Sequence, residues 1–198
     1  MQLTYGSTNH DKLTEVVRLG DQFGLTITDL RKAAEVTGKG MPPGIAEPEV
    51  SYEGNAALKA RGYSDWFDRP CVVDDSGLEV DALGGLPGVY TAMFGFERVS
   101  SMLIPGVPYT ARFICCVAYA EPSGRLVSVT AALSGRICFP AGAQAPSSGV
   151  PYSYFFTPDG RAESLATLVQ NDSSFVSHRG RAFIQLMRSL TLLEVDRG

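Results

Sequence analysis

Cysteine, charge and long apolar runs are all scarce in this chain of 198 residues, and each scarcity excludes something. The four cysteines, Cys71, Cys115, Cys116 and Cys138, show no CxxC or other metal-ligand spacing. Cys115 and Cys116 are adjacent in a strand-like run and should point to opposite faces. Four reduced thiols in a cytoplasmic protein are therefore expected, rather than a disulfide framework. No apolar run approaches the roughly 18–20 residues needed to span a bilayer. The start, "MQLTYGSTNHDKLTEV", is polar by its seventh residue and is not read as a secretory signal. Charged residues make up 19% of the chain, 17 basic against 21 acidic, for a net charge of −4. That balance lacks the basic excess demanded by nucleic acid or an anionic membrane, so neither is an expected partner. A small anionic ligand, which needs only a few well-placed cations, is still compatible. No internal repeat, low-complexity tract or linker appears, and a single domain over residues 1–198 is expected.

What is present is a hydrophobic fraction of 44%, enough for a sizeable core. "LTYG" (3–6) is a short strand candidate, followed by a capped amphipathic helix over 7–24. Ser7, Thr8 and Asn9 are its candidate caps, and Leu13, Val16, Val17 and Leu19 form its apolar face. "LTITDL" (25–30) reads as a second strand and "GKGMPPG" (38–44) as a loop. A second helix is expected over 52–67, then a compact buried strand, "PCVVDD" (70–75), ending in two acids. Residues 111–139 read as two strands around the turn "EPSG", with a third run after Gly135. Residues 140–151 are loop-like. A closing helix over 177–195 starts at Ser177 and buries Phe183, Leu186, Met187 and Leu190. Strands and helices alternate first and strands then dominate, which predicts an α/β fold with a mixed central sheet.

The scarce charge is concentrated in "VVDDSGLEVDALGGLPGVY" (72–90), where Asp74, Asp75, Glu79 and Asp81 fall within eight positions. A strand C-terminus in an α/β protein opens onto the crevice where ligands bind. Two adjacent carboxylates there need a cation, a hydrogen-bond network or a protonation change to relieve their repulsion. Mg²⁺ suits them, because it takes carboxylate oxygens and recruits substrate phosphates; the plainer reading is a turn capped by aspartate. Glu79 is expected on a following solvent-facing segment, and Asp81 as a brace for the Gly84-Gly85 turn. Lys12 and Lys59 lie on two predicted helices and read either as phosphate ligands or as solvated surface lysines. "STNHDK" (7–12) lacks the glycine pattern of a P-loop. "SHRG" (177–180) sets a histidine and an arginine at a helix start, where they either donate to a base or phosphate or stay exposed behind a capping Ser177. His10 reads as surface.

In order, these segments resemble the inosine triphosphate pyrophosphatase, or non-canonical purine NTP pyrophosphatase (Ham1/RdgB-like), family. The T/S-x-N-x-x-K pattern stands as Ser7 to Lys12, and the F-x-x-N-A-x-x-K-A helix as Tyr52 to Ala60. D-D-S-G-L-x-V-D-x-L-G-G-x-P-G-V/I-Y-S/T-A runs from Asp74 to Ala92 almost unbroken, and "ARF" (111–113), Gly135 and S-H-R-G-x-A (177–182) also match. The resemblance implies one ITPase-like α/β domain, with helices flanking the sheet and a cleft between two lobes. It implies Mg²⁺-dependent hydrolysis of nucleoside triphosphates at the α–β linkage, releasing monophosphate and pyrophosphate, with ITP, dITP and XTP preferred. Carried over by position, Ser7, Thr8, Asn9 and Lys12 would hold substrate together with Ser76. Asp75, Asp74 and Lys59 would be catalytic, Glu47 with Asp75 would bind metal (Glu49 being the alternative), and Ser177, His178 and Arg179 would meet the base. A homodimer is implied as well.

Two family features are missing. The F-G-Y-D-P loop is replaced by Gly149-Val150-Pro151-Tyr152-Ser153-Tyr154, and the lysine before S-H-R by "VQNDSSFV" (169–176). The segment between Gly95 and Ala111 is also too short for the usual family helix. Base-reading groups determine selectivity, because a wrong base leaves buried polar groups unpaired. An enzyme with altered base preference is therefore expected, with Tyr152 or Tyr154 as a replacement stacking surface. A nucleotide-binding protein without turnover and an enzyme with ordinary ITP preference are the alternatives.

Overall fold

A computed structural model describes residues 2–147 and 150–195, with side chains to Thr191. The elements in chain order are β1 (Gln2–Tyr5), α1 (His10–Asp21), β2 (Thr26–Thr28), α2 (Leu30–Thr37), α3 (Tyr52–Phe67), β3 (Cys71–Val80), β4 (Pro87–Gly88), α4 (Thr91–Phe94), α5 (Phe96–Ser101), β5 (Tyr109–Ala120), β6 (Leu126–Ile137), β7 (Phe156–Pro158), α6 (Leu165–Asn171) and α7 (His178–Val195). The strand order is β2-β1-β3-β5-β6-β7, with β4 paired to β3. β1 runs parallel to both β2 and β3, while β4 and β7 are antiparallel to their neighbours, so the sheet is mixed as expected.

The chain divides into two compact units, one of residues 1–75, 115–131 and 179–198, the other of 76–114 and 132–178. Neither is continuous in sequence, because β3, β5 and β6 each pass from one unit into the other. That is why no linker is visible in the sequence.

In the first unit Leu3, Tyr5, Val72, Cys115 and Val117 pack with Val16 and Leu19 of α1 and with Phe183, Leu186, Met187 and Leu190 of α7. Three side-chain caps set its helix starts: Asn9 for α1, Asp29 for α2 and Ser51 for α3. Gly38, at φ 68°, closes α2 in a left-handed turn that a side chain would disfavour. In the second unit Leu78, Val80, Phe96, Val99, Phe113, Ile137, Phe139 and Phe156 form the core.

Four expectations are corrected. Residues 25–30 are not one strand: β2 ends at Thr28, and Asp29 accepts a hydrogen bond from the Lys32 N–H to start a helix. β3 does not end at Asp75 but runs to Val80, because Leu78 and Glu79 find partners on β4. Glu79 is therefore a strand residue, paired with Arg112 at 2.7 Å, while the Asp81 carbonyl accepts from the Gly84 N–H. Gly135 does not begin a third strand. It lies within β6, where a Cβ would fall 2.3 Å from the Thr157 carbonyl, so glycine allows the two backbones to approach.

Candidate active site

Asp74 and Asp75 are neighbours on β3, so their side chains leave it on opposite faces. Asp74 is almost completely buried, and its Oδ1 accepts from the Tyr5 hydroxyl. Its Oδ2 receives Lys12 Nζ at 2.8 Å and Arg179 Nε at 3.3 Å, with Cys115 Sγ at 3.9 Å. The second face of the guanidinium is used on Glu15, whose Oε2 lies 3.1 Å from a terminal nitrogen. Two carboxylates and two cations are thus interleaved, with Asp74, Glu15 and Arg179 buried and Lys12 half-buried at the edge of the set. Burial opposes the charge on Arg179, but Asp74, Tyr5 and Glu15 outweigh it and hold its pKa well above the ordinary range. Burial first, and Asp74 second, push Tyr5 well up as well, so its hydroxyl stays a neutral donor.

Asp75 faces α3. Its Oδ1 lies 3.2 Å from Lys59 Nζ and its Oδ2 3.4 Å from Asn55 Nδ2. Asn55 and Lys59 are four residues apart and share one helix face. Lys59 also donates to Glu47 Oε2 at 2.7 Å and to the Asp74 carbonyl at 3.0 Å. Burial raises the Asp75 pKa to about 6; Lys59 opposes this shift and the nearby Glu47 carboxyl adds to it. Burial pulls Lys59 down, yet Asp75 and Glu47 prevail and its pKa is raised.

The choice between Glu47 and Glu49 is visible in the contacts. Glu49 bonds Asn55 through its main chain, its N–H donating at 3.1 Å and its carbonyl accepting at 3.3 Å. Its side chain lies against Gly54, where a Cβ would meet it at 2.7 Å. Of the two glutamates, it is Glu47 that sends its carboxylate to Lys59.

Within this unit a cavity of about 340 Å³ is lined by Ser7, Thr8, Lys12, Glu47, Lys59, Tyr63 and Asp74, with Leu30, Met41 and Pro42 as apolar wall. Asp75 is not among the lining residues and meets the cavity through Lys59 and Glu47. Asn9 Oδ1 accepts from the Asp11 and Lys12 N–H groups, so its side chain holds the turn that aims Lys12 at Asp74. The donor set suits a hard divalent cation. Glu47 and Asp75 already converge on a single positive centre, and Mg²⁺ commonly takes one or two carboxylates and completes its shell with water and phosphate. Among the described residues no group of three or more His, Cys, Asp or Glu side chains has metal-holding geometry, so the remaining ligands would have to be of that kind.

Two expectations about the base-reading residues are corrected. Arg179 does not present its guanidinium to a ligand; it is buried against Asp74 and Glu15. Tyr152 is not an open stacking surface, since its ring packs on Phe96 and Phe139 and its hydroxyl donates to the Gly95 carbonyl at 2.7 Å. Tyr154 is exposed, while Gly149 lies outside the described residues. In the second unit Ser76 is half-buried, Ser177 is buried, and the His178 ring stacks on Phe113 at 4.9 Å. Tyr5 and Glu15 escape the sequence reading, and Asn55 enters it only as the asparagine of the Tyr52–Ala60 pattern, without a role. Glu15 carried a signal, since an acid in phase with Val16 and Leu19 on an apolar helix face calls for a buried partner.

The model of the Ham1 family matches residues 3–189. The chain belongs to the Ham1 family. A dITP/XTP pyrophosphatase of Rhodospirillum centenum is 35% identical, covering 93% of this chain and 92% of that protein. Another, of Desulforamulus reducens, is 31% identical, covering 98% of each. Among solved structures, the nucleoside-triphosphatase / dITP/XTP pyrophosphatase of Mycobacterium abscessus matches with TM-score 0.67 and 29% identity, covering 96% of this chain and all of that one. The Ham1 protein of Staphylococcus aureus matches with TM-score 0.73 at 22% identity, covering 96% and 98%, and so shares the fold. The Ham1 signature DDSGLEVDALGGLPGVYTA thus lies across β3, β4 and the start of α4. Among the described residues no helix is long and apolar enough to cross a membrane.

Proposed function

We propose that this Ham1-family chain is a Mg²⁺-dependent nucleoside triphosphate pyrophosphatase, cutting the α–β linkage to release nucleoside monophosphate and pyrophosphate. The observation that carries this reading is the meeting of Lys12 and Lys59 with Glu47 around one cavity, with Asp75 directly behind. The pyrophosphatase names of its relatives support it. Phosphoryl transfer asks a protein mainly for positioning and charge neutralisation. Lys12 and Lys59 neutralise the phosphate chain, and Ser7 and Thr8 line its path. Glu47 and Asp75 would hold the Mg²⁺, which supplies Lewis-acid neutralisation of the phosphate oxygens when bound. Asp75 also orients the attacking water and takes its proton.

The base preference is proposed to differ from the ITP, dITP and XTP preference of the family pattern. That proposal rests on the loss of the F-G-Y-D-P loop and of the lysine before Ser177. A homodimer belongs to the same proposal. A panel of canonical, deaminated and modified nucleotides with Mg²⁺, followed by product separation, tests the reading. Monophosphate and pyrophosphate should appear from at least one nucleotide, and Asp75→Asn should lower that turnover roughly a thousandfold. Binding of nucleotide without product from any member would instead favour a binding protein that has lost catalysis.

A further inference from the structure

Lys59 has three N–H donors and uses all of them on protein oxygens: Glu47 Oε2 at 2.7 Å, the Asp74 carbonyl at 3.0 Å and Asp75 Oδ1 at 3.2 Å. A saturated ammonium has no donor left for a phosphate. It also occupies an oxygen of each of the two carboxylates that would ligate a divalent cation. Lys59 therefore cannot hold the triphosphate and its present partners together, and Glu47 and Asp75 cannot serve the ammonium and a metal together without placing two cations side by side. The side chain ends on a flexible four-carbon stem, and Glu47 lies on the exposed segment before α3, so both partners can separate without unfolding an element.

We propose that Lys59 is an internal competitor of the divalent cation, holding its carboxylates until the phosphate chain of an incoming nucleotide draws the ammonium away. Metal and nucleotide then bind cooperatively, each favouring the state in which Lys59 has changed partners, and the coupling is reciprocal. This inference rests on the pyrophosphatase reading above, and it assigns Lys59 a role in metal entry as well as in phosphate binding.

The test is Mn²⁺ binding without nucleotide, followed by the electron paramagnetic resonance signal of the free ion. Lys59→Met should bind Mn²⁺ about tenfold more tightly than wild type, within the range of ordinary coupling between two sites. Lys59→Gln, which keeps a polar end for the Asp74 carbonyl, should shift the same way and serves if the methionine variant does not fold. Lys12→Met removes an equal charge from the same cavity, but among the described residues the Lys12 ammonium pairs with Asp74 Oδ2 and not with Glu47 or Asp75. It should leave Mn²⁺ affinity within about twofold, because only a shared ligand gives direct competition. Unchanged or weaker Mn²⁺ binding in the folded Lys59 variants overturns the proposal, and so does equal tightening by Lys12→Met. Pyrophosphate release by the wild type is measured separately, so failure of the enzymatic reading is not confused with failure of this one.

Discussion

Replacing Arg179 with methionine removes the centre of the buried charge set while keeping an apolar stem in its place. Arg179 is 5% exposed and bridges Asp74 at 3.3 Å and Glu15 at 3.1 Å. Removing one partner from a buried ion pair typically costs about 3–5 kcal/mol, because the charge left behind is desolvated without compensation. Lys12 and Tyr5 still reach Asp74, which places the expected loss near ~3 kcal/mol, the low end of that range. With a urea slope of about 2 kcal/mol per molar, the midpoint should fall by about 1.5 M. Trp66, the one tryptophan, lies in the same unit and reports its unfolding by fluorescence. Lys32→Met is the control, since Lys32 and Glu35 are closer, at 2.8 Å, but exposed on α2. An exposed pair of this kind is worth about 0–1 kcal/mol, so the midpoint should hardly move. The comparison asks whether burial or distance determines the cost. A shift below about 0.5 M for Arg179→Met, or an equal shift for Lys32→Met, would refute the argument that Arg179 is a buried structural cation.

Asp75 gives a pH dependence with two opposite consequences. With no metal bound its pKa is raised to about 6, and a Mg²⁺ on the same carboxylate competes with that proton, so Mg²⁺ affinity, read by titrating the metal at several pH values, should weaken as the pH falls through about 6. Stability runs the other way. The folded chain binds this proton more tightly than the unfolded one, so the contribution of Asp75 favours the fold below about pH 4 and is lost as the pH rises through about 6. Comparing wild type with Asp75→Asn in urea at several pH values isolates it. Gly6→Ala tests the packing under the cavity, because its Cβ would fall 2.3 Å from Val73 Cγ1 and 2.6 Å from Tyr63 Cδ2. A loss of about 1–3 kcal/mol is expected in thermal unfolding, and no loss would show that the two side chains can move aside.

Local features carried far where one segment contained its own signal. The helix at 52–67 is legible to its bounds from its run of small and apolar positions, Ala57, Ala60 and Trp66 among them, although of these Ala60 is buried and Trp66 exposed. The closing helix and its apolar face are legible for the same reason, a period that needs no partner to be seen. β3 was not legible past Asp75. "SG" looks like a turn, and the strand continues past it in a sheet where β3 lies beside β5 and pairs with β4, partners that the segment itself does not announce. α2 was hidden because "TDL" read as the end of a strand, although Asp29 is a sound helix cap.

The same division runs through the candidate site. By itself the sequence determined which chemical groups are available: two adjacent acids, two lysines on separate helices, and a signature shared with one family. Their residue types and spacing are one-dimensional facts. Only the tertiary structure decided what each group faces. Alternation along β3 sends Asp74 to Tyr5, Lys12 and Arg179, and Asp75 to Asn55 and Lys59. Arg179 lies 105 residues from Asp74, and in one dimension nothing distinguishes a buried counter-ion from a hand held out to a ligand. Burial makes that distinction, because a charge removed from water must be met by another charge, and folding brings the two together.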